Sequence, residues 1–240
     1  MINRIIEASL RKAGWELQKI SKASRPTMAQ GLKWLAENDI YISTVLDVGA
    51  SNGGWSKISM DFFPNATYVL FEPQPVHSKP LDTFSRNCNQ TIIPVKKAVG
   101  GSTGSTFFDA SDPFGGALAE NKAENTIKVE LTTIDSSISE LKTEGPYLLK
   151  LDTHGFERSI LEGAENTLNH VEILIIEAYN YRITEEALLF WELCAYLSDR
   201  GFRPVDIVDT MHRQHDNSLW QMDIFFIRSS WEGFNHISYR

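Results

Sequence analysis

The sequence predicts a doubly wound α/β fold, with a mostly parallel sheet covered by helices on both faces and an antiparallel hairpin at its C-terminal end. Short apolar runs alternate with helical patterns along most of the chain. The first run, Thr44–Val48, ends in a glycine turn, which is typical of a strand buried on both faces. The last two β-rich segments are too close in sequence for a crossover helix, so we expect them to pair antiparallel.

The individual elements follow from this alternation. The predicted strands are Thr44–Val48, Thr67–Phe71, Thr91–Val99, Thr106–Asp109, Thr126–Thr133, Tyr147–Leu151, Glu172–Glu177, Arg203–Val208 and Leu219–Ile227. The predicted helices are a leading amphipathic helix, one that Pro26 opens and that runs to about Asn38, Gly53–Phe63, Pro75–Asn87, Phe156–Leu168 and Glu185–Arg200. We expect residues 1–40 to form an N-terminal helical extension and residues 41–240 to form one α/β domain.

Composition excludes several classes of protein. The 240-residue chain has a net charge of −8, which argues against general nucleic-acid binding because phosphate neutralisation needs a basic surface. Its two cysteines, Cys88 and Cys194, lie far apart, which argues against a disulfide framework or a structural zinc site. We expect both to be buried free thiols in a reducing compartment, so the predicted localisation is cytoplasmic.

The N-terminal segment has isoleucines and leucines at helical spacing between Ile2 and Ile20, interrupted by charged residues. No apolar run approaches the ~18 residues that span a bilayer, and the segment lacks the apolar stretch of a secretory signal. Its basic residues would allow contact with an anionic membrane surface. Packing of this helix over the core or the site is the favoured interpretation.

A glycine turn follows the first predicted strand, in the segment Val45–Trp55. Gly49 allows a sharp bend, and Gly53 and Gly54 allow a ligand to approach the next helix, whose N-terminal N–H groups favour an anion. In a doubly wound fold this edge of the sheet carries the ligand site. If only the glycines are considered, a tight turn with a purely structural role explains them equally well.

A carboxylate at the end of the next strand makes a nucleoside site the better interpretation. Glu72 stands where an acidic side chain accepts hydrogen bonds from both ribose hydroxyls, and it would repel the 2′-phosphate of NADP. Serine replaces the middle glycine of the dinucleotide fingerprint at Ser51, which suits a ligand without pyrophosphate, such as S-adenosylmethionine. Asp47 would then meet the ammonium group of the ligand and loop N–H groups its carboxylate. An NAD-linked oxidoreductase is the alternative.

Acidic residues and one histidine follow the later strands. Asp152, His154 and Glu157 come after Tyr147–Leu151, and Glu177 ends the next strand. Methyl transfer to oxygen needs a group that accepts the hydroxyl proton, and the ordinary pKa of histidine, ~6.5, suits His154 to that role. Asp152 would orient the acceptor or the imidazole. Alternatively, Asp152 could cap the following helix and Glu157 could complete the first turn of that cap. The spacing of Asp152, His154 and Glu157 also resembles a loose metal cluster. Because the chain offers no second suitable histidine, no metal site is predicted.

Together these residues resemble the FkbM family of methyltransferases. The matching segments are Leu46–Gly54, Phe71–Pro73, Thr133–Asp135, Leu149–Glu157, Leu161–Ala164, Ile176–Glu177 and Asp223–Phe226. The resemblance covers Ser43 to Arg228 and depends on the order and separation of these segments. It implies a class I, Rossmann-like, S-adenosylmethionine-dependent methyltransferase that O-methylates a hydroxyl of a sugar, glycan or polyketide-type small molecule.

The resemblance also assigns site residues. In the cofactor site, the early loop would hold the methionine part, Glu72 the ribose, and residues 98–99 would lie near the adenine. The cofactor-binding residues are then Asp47, Gly49, Ala50, Ser51, Gly53, Glu72, Pro73, Ala98 and Val99. Asp152 and Glu157 match acidic positions of the family motif, whereas the position of His154 is one where variation is expected.

The acceptor itself is not readable from the sequence. We expect its contacts to come from the polar loop Ser111–Asn125, from the segment Tyr179–Arg182, and from a loop Asp209–Ser218 that carries His212 and His215. A non-catalytic module that keeps the nucleotide pocket and docks through its N-terminal helix is a further alternative. The clustered acids argue for retained chemistry, because clustered charge without a purpose destabilises the fold.

Overall fold

The computed structural model describes residues 27–119 and 122–239. The predicted leading helix and most of the proposed 1–40 extension lie outside these residues. The described part of that extension is helix α1, Met28–Glu37. It begins after Thr27, whose side chain accepts a hydrogen bond from the backbone N–H of Gln30 and so caps the helix.

Strands and helices alternate as the sequence predicts. In chain order the strands are β1 (Thr44–Val48), β2 (Thr67–Phe71), β3 (Ile92–Val95), β4 (Ala98–Val99), β5 (Gly104–Asp109), β6 (Ala117–Ala119), β7 (Thr126–Thr132), β8 (Tyr147–Leu151), β9 (Val171–Tyr179), β10 (Phe202–His212) and β11 (Leu219–Arg228). After α1, the helices are α2 (Gly54–Ser59), α3 (Pro75–Asn87), α4 (Ile134–Leu141), α5 (Glu157–Glu162), α6 (Glu165–Leu168) and α7 (Phe190–Ser198). A 3₁₀ turn, Glu232–Asn235, follows the last strand.

The described residues form a seven-stranded main sheet in the order β10-β11-β9-β8-β1-β2-β3. Strands β9, β8, β1, β2 and β3 run parallel, whereas β11 is antiparallel to both β9 and β10. The mostly parallel sheet and the C-terminal antiparallel hairpin are both confirmed. Because β1 and β8 are central neighbours, the loops that follow them open at the same edge of the sheet.

Helices cover both faces of this sheet, which explains why β1 and β8 are buried at every position. On one face, Leu193 and Leu197 of α7 and Ile160 and Leu161 of α5 belong to one apolar cluster. On the opposite face, Leu32 and Leu35 of α1 and Leu81 of α3 belong to a second apolar cluster. Burial on both faces requires near-continuous apolar strands, which is the pattern that the sequence shows.

Two predicted elements differ because the chain forms a second sheet. The described residues include a four-stranded sheet in the order β4-β7-β5-β6. The predicted strand Thr91–Val99 is therefore two strands: β3 pairs with β2 in the main sheet, and β4 pairs with β7 in the second. Likewise, the predicted loop Ser111–Asn125 contains β6, which pairs with β5. Pairing partners are distant in sequence, so local pattern does not reveal them.

Helix boundaries also differ in places. The predicted helix Phe156–Leu168 is interrupted at Gly163, where a side-chain Cβ would lie 2.3 Å from the carbonyl oxygen of Gly100. That close approach of two backbones requires glycine and breaks the helix into α5 and α6. Helix α2 ends at Ser59 and α7 begins at Phe190, so both are shorter than predicted, and α4 was not predicted.

Asp135 at the start of α4 joins two helices. Its carboxylate accepts hydrogen bonds from the backbone N–H groups and the side chains of Asn166 and Thr167, at 2.6–3.0 Å. Partial burial raises its pKa, but the bonds from Thr167 and Asn166 outweigh this, so the net pKa lies below the ordinary value. The carboxylate thus fixes the start of α6 against α4.

We expect Asp135→Asn to lower the free energy of unfolding by ~1–2 kcal/mol at neutral pH, because charge-assisted bonds are replaced by neutral ones. A group with a lowered folded-state pKa stabilises the fold above its ordinary pKa and loses that contribution as pH falls. Urea unfolding of both proteins should therefore show a difference at pH 7 that shrinks below about pH 4. A difference that stays constant with pH would show that the charge of Asp135 has no part in it.

Candidate active site

A cavity opens at the carboxyl ends of β1, β2 and β8. Its wall includes Gly49 and Ser51 from the loop after β1, Glu72 and Pro73 after β2, and Asp152 after β8. Gly49 and Glu72 therefore border one shared cavity, as the predicted nucleoside site requires.

Gly49 makes the turn that shapes this cavity. Its φ is +80°, and a Cβ at this position would lie 2.1 Å from the carbonyl oxygen of Asp152. The N–H groups of Gly49 and Ala50 donate to the carbonyl of Phe71, at 3.1 and 3.0 Å. The turn thus holds the ends of three neighbouring strands together, and only glycine fits there without strain.

Glu72 presents its carboxylate to the cavity from a fixed position. Its two oxygens accept hydrogen bonds from the backbone N–H groups of Ser51 and Gln74, both at 2.8 Å. Burial raises the pKa of Glu72, while these two bonds oppose the rise. Each carboxylate oxygen accepts more than one hydrogen bond, so both retain capacity for further donors in the cavity.

Three of the predicted cofactor residues lie beneath the loop rather than on the cavity wall. Asp47 is fully buried, accepts a hydrogen bond from the Ser56 hydroxyl at 2.6 Å, and lies 3.8 Å from the Lys150 ammonium. Burial raises the pKa of Asp47, against the charge of Lys150. Ala50 is buried, and Gly53 occupies the left-handed N-cap of α2, where a Cβ would meet Phe84 at 2.6 Å. These residues shape the loop.

The second sheet supplies the opposite wall. Ala98 and Val99 of β4 line the cavity, as predicted for the adenine end. Residues 113–114 and 116–118, the last two from β6, also line it. The Gln74 side chain donates to the Pro113 carbonyl at 3.1 Å, and the His77 Nε2 lies 2.7 Å from the same oxygen. Sequence reasoning placed this segment at the acceptor but did not identify Gln74 or His77, because their contacts with Pro113 are long-range.

Asp152 and His154 line the cavity at its β8 side, and the structure brings Glu177 of β9 to them. His154 has a φ of +51°, an uncommon backbone conformation for a non-glycine residue. Its Nδ1 lies 3.2 Å from the Glu177 carboxylate and 2.8 Å from the Tyr179 hydroxyl. The hydrogen bond with Glu177 raises the pKa of His154, against burial. Glu177, which sequence reasoning noted only as a strand-terminal acid, is thus the partner of this imidazole.

A buried ammonium and a buried carboxyl lie beside this cluster. Lys150 is buried 2.8 Å from one oxygen of Asp152; although burial lowers its pKa, Asp152 and Asp47 raise it to about 12, so the ammonium stays charged. Asp223 lies opposite Glu177 on β11, and burial, reinforced by Glu177, raises its pKa to about 7. The lysine is thus paired with Asp152, while Asp223 is partly protonated near neutral pH.

Glu157, the third predicted catalytic residue, lies behind the cavity wall. It is buried at the start of α5, and its carboxylate accepts hydrogen bonds from the Gly155 N–H at 2.9 Å and the Thr153 hydroxyl at 3.3 Å. These bonds tie down the backbone on both sides of His154. The geometry favours a positioning role for Glu157 over contact with a reacting group.

The remaining segments predicted to contact the acceptor are not among the residues that line the cavity. Tyr179 hydrogen-bonds to Glu177, and Tyr181 stacks on Trp220 with ring centroids 5.1 Å apart. The expected loop Asp209–Ser218 is shorter than predicted, because β10 extends through His212, which pairs with Leu219. His212 therefore lies on a strand, and its predicted loop position was wrong.

A known protein family matches the part of the chain that forms this site. The family model of the methyltransferase FkbM domain matches residues 47–204, which is more than half of the chain. The chain belongs to the FkbM methyltransferase family. The resemblance predicted from its motifs is confirmed, and with the sheet topology it confirms the class I methyltransferase fold.

Relatives of this methyltransferase include a curated protein. The hexuronic acid methyltransferase AglP of Haloferax volcanii is 24% identical over 179 residues, which are 73% of this chain and 74% of the relative. Family membership favours methyl transfer over the alternative of an NAD-linked oxidoreductase.

Solved structures also show similarity to this methyltransferase. An rRNA methylase from Streptococcus thermophilus aligns with a TM-score of 0.47 and 12% identity, covering 86% of this chain and 98% of that one. A Burkholderia thailandensis 1,6-didemethyltoxoflavin-N1-methyltransferase, solved with S-adenosylhomocysteine, aligns with a TM-score of 0.47 and 10% identity, covering 95% and 87%. The family assignment does not depend on either alignment. Within the described ranges, no helix has the length and apolar character to cross a membrane.

Proposed function

We propose that this methyltransferase takes its methyl group from S-adenosylmethionine and transfers it to a hydroxyl of a sugar or glycan. The observation that carries the proposal is the cavity itself. The Gly49 turn and the Glu72 carboxylate border it together, and the predicted acceptor-side residues Asp152 and His154 lie on the same wall. Donor and acceptor would thus meet in one cavity, as in-line transfer requires.

The donor side suits an adenosyl ligand. Glu72 is held by two backbone N–H groups and keeps acceptor capacity for the ribose hydroxyls. Ala98 and Val99 offer an apolar wall for the adenine, and Pro73 extends it. Asp47, Gly49, Ala50, Ser51 and Gly53 would shape the loop around the methionine end. S-adenosylmethionine, when bound, supplies an electrophilic methyl group on a sulfonium sulfur.

The acceptor side suits a hydroxyl. Asp152 and His154 line the cavity and could accept a hydrogen bond from the hydroxyl, and we place the handling of its proton at these two residues. Glu157 serves as a positioning residue, because its bonds to Gly155 and Thr153 fix the turn that carries His154.

A sugar acceptor is supported by chemistry and by the relative. Neighbouring hydroxyls on one ligand would suit the polar groups of Asp152, Thr153 and His154, which line this end of the cavity. The AglP relative is a hexuronic acid methyltransferase, which agrees with a carbohydrate acceptor. A large protein or nucleic-acid substrate gains no comparable support from the site.

The test is incubation of the full chain with isotope-labelled S-adenosylmethionine and a panel of neutral sugars, hexuronates, oligosaccharides and polyketide-type alcohols, followed by mass spectrometry. We expect a single added methyl group on a carbohydrate hydroxyl, and a loss of about 10²-fold or more in turnover for His154→Asn, chosen because asparagine tolerates positive φ. Transfer to nitrogen or carbon, or only to the non-carbohydrate alcohols, would overturn the proposed acceptor class.

A further inference from the structure

The cluster of Asp152, His154 and Glu177 has a geometry that hydroxyl recognition alone does not require. Each of the three offers one ligand atom, and these atoms lie within 4.8 Å of one another. Bonds from nitrogen and oxygen ligands to a divalent ion are about 2.0–2.2 Å, so two donors on one ion lie at most about 4.4 Å apart. A contraction of a few tenths of an ångström would bring all three donors to one ion.

We propose that Asp152, His154 and Glu177 form a divalent-metal site at the acceptor end of the cavity. One imidazole and two carboxylates suit a cation that accepts mixed nitrogen and oxygen ligands, such as Mn²⁺ or Zn²⁺, better than they suit Ca²⁺. Three protein ligands leave coordination positions open for a substrate hydroxyl. Asp152 and His154 already line the cavity, so those positions face the space where an acceptor would bind.

Neighbouring side chains hold the proposed ligands in place. The Gln221 amide and the Tyr179 hydroxyl both donate to the Glu177 carboxylate. The Tyr179 hydroxyl also lies 2.8 Å from His154 Nδ1, and Glu157 fixes the backbone beside His154. Supporting hydrogen bonds of this kind orient metal ligands and raise affinity.

The close approach of two carboxylates also favours a cation. Lys150 contacts one oxygen of Asp152 at 2.8 Å, so the second oxygen is the one that would bind the ion. The ligand atoms of Asp152 and Glu177 lie within 4.8 Å of each other, and two carboxylates this close repel unless a proton or a cation lies between them. A bound divalent ion would relieve that repulsion as well as gain ligands.

The role of this ion rests on the proposed function. A hydroxyl bound directly to a divalent cation has a lowered pKa, so its oxygen becomes a stronger nucleophile near neutral pH. The donor C–S bond breaks as the new C–O bond forms. With the ion bound, Asp152 and His154 act as its ligands rather than as proton acceptors, so the hydroxyl proton passes to solvent. The ion would also fix the acceptor oxygen relative to the donor, which accounts for two carboxylates and an imidazole on one wall.

Binding of Mn²⁺ to the full chain, measured by electron paramagnetic resonance and by calorimetry, tests the site without using activity. We expect one ion per chain in the wild type, and at least about tenfold weaker binding in Glu177→Gln and His154→Asn. The matched control is Glu162→Gln, an exposed carboxylate paired with Arg158, which should bind Mn²⁺ as the wild type does. Displacement of bound Mn²⁺ by added Zn²⁺ or Mg²⁺ measures which of the three cations the site prefers.

Binding of S-adenosylhomocysteine and thermal melting are measured on the same variants to show that they are folded. Folded Glu177→Gln and His154→Asn proteins that bind Mn²⁺ as tightly as the wild type would overturn the proposal, as would a wild type that binds no more Mn²⁺ than Glu177→Gln. Wild-type chain that binds the ion but not S-adenosylhomocysteine would support the metal site and contradict the proposed function, so the two failures are distinguishable.

Discussion

Glu72→Ala should weaken the binding of S-adenosylhomocysteine by about 10²-fold or more. Two hydrogen bonds from ribose hydroxyls to a carboxylate are lost, each worth ~1.5–3 kcal/mol, and about 1.4 kcal/mol corresponds to a tenfold change in affinity. The loss should be large because the carboxylate is held in place before the ligand arrives, by the N–H groups of Ser51 and Gln74. Calorimetry of the full chain measures it.

Two further variants show whether the loss comes from the hydrogen bonds to the ribose or from the change in side-chain size. Glu72→Gln keeps the size of the side chain and should bind with intermediate affinity, because the amide replaces one acceptor oxygen with a donor. Asp82→Ala removes an exposed carboxylate that pairs with Lys96, and should leave binding unchanged. Wild-type affinity in a folded Glu72→Ala protein would show that Glu72 does not contact the ligand.

Gly49→Ala should destabilise the fold by ~3 kcal/mol or more, which corresponds to a fall in Tm of about 6–12 °C for a chain of this size. Alanine is strained at a φ of +80°, and its Cβ would lie 2.1 Å from the carbonyl oxygen of Asp152. Neither backbone moves easily, because each continues a buried central strand. Thermal and urea unfolding give the change in free energy.

Gly201→Ala is the matched control. Gly201 has a nearly identical φ of +78°, but a Cβ there would meet no described atom within 4 Å. We expect only the cost of the backbone conformation, ~1 kcal/mol. The difference between the two variants isolates the contact between Gly49 and Asp152. Equal destabilisation by both changes would show that this close approach has no energetic consequence.

The sequence predicted the main sheet because each of its strands is marked locally. Apolar runs such as Thr44–Val48 and Tyr147–Leu151 need burial on both faces, and this requirement alone places helices on either side. The close spacing of β10 and β11 likewise determined their antiparallel pairing. The second sheet was not predicted, because residues 98–99 pair with residues more than thirty positions away.

The candidate site was predictable to a similar degree. Gly49 and Glu72 follow neighbouring strands, so their meeting at one cavity follows from topology. The side chains of Asp152 and Glu157 come from the same motif but point to different surroundings: one lines the cavity and the other binds the Gly155 N–H. Spacing alone does not separate these roles. The partnership of His154 with Glu177 required coordinates, because it joins the loop after β8 to β9 through side-chain conformations.

The account depends on an adenosyl group that spans from the Gly49 turn to Glu72, and a crystal structure of the full chain with S-adenosylhomocysteine tests this most directly. We predict that both ribose hydroxyls lie within hydrogen-bonding distance of the Glu72 carboxylate and that the sulfur faces Asp152 and His154. A nucleoside bound elsewhere, or with its ribose away from Glu72, would contradict the account.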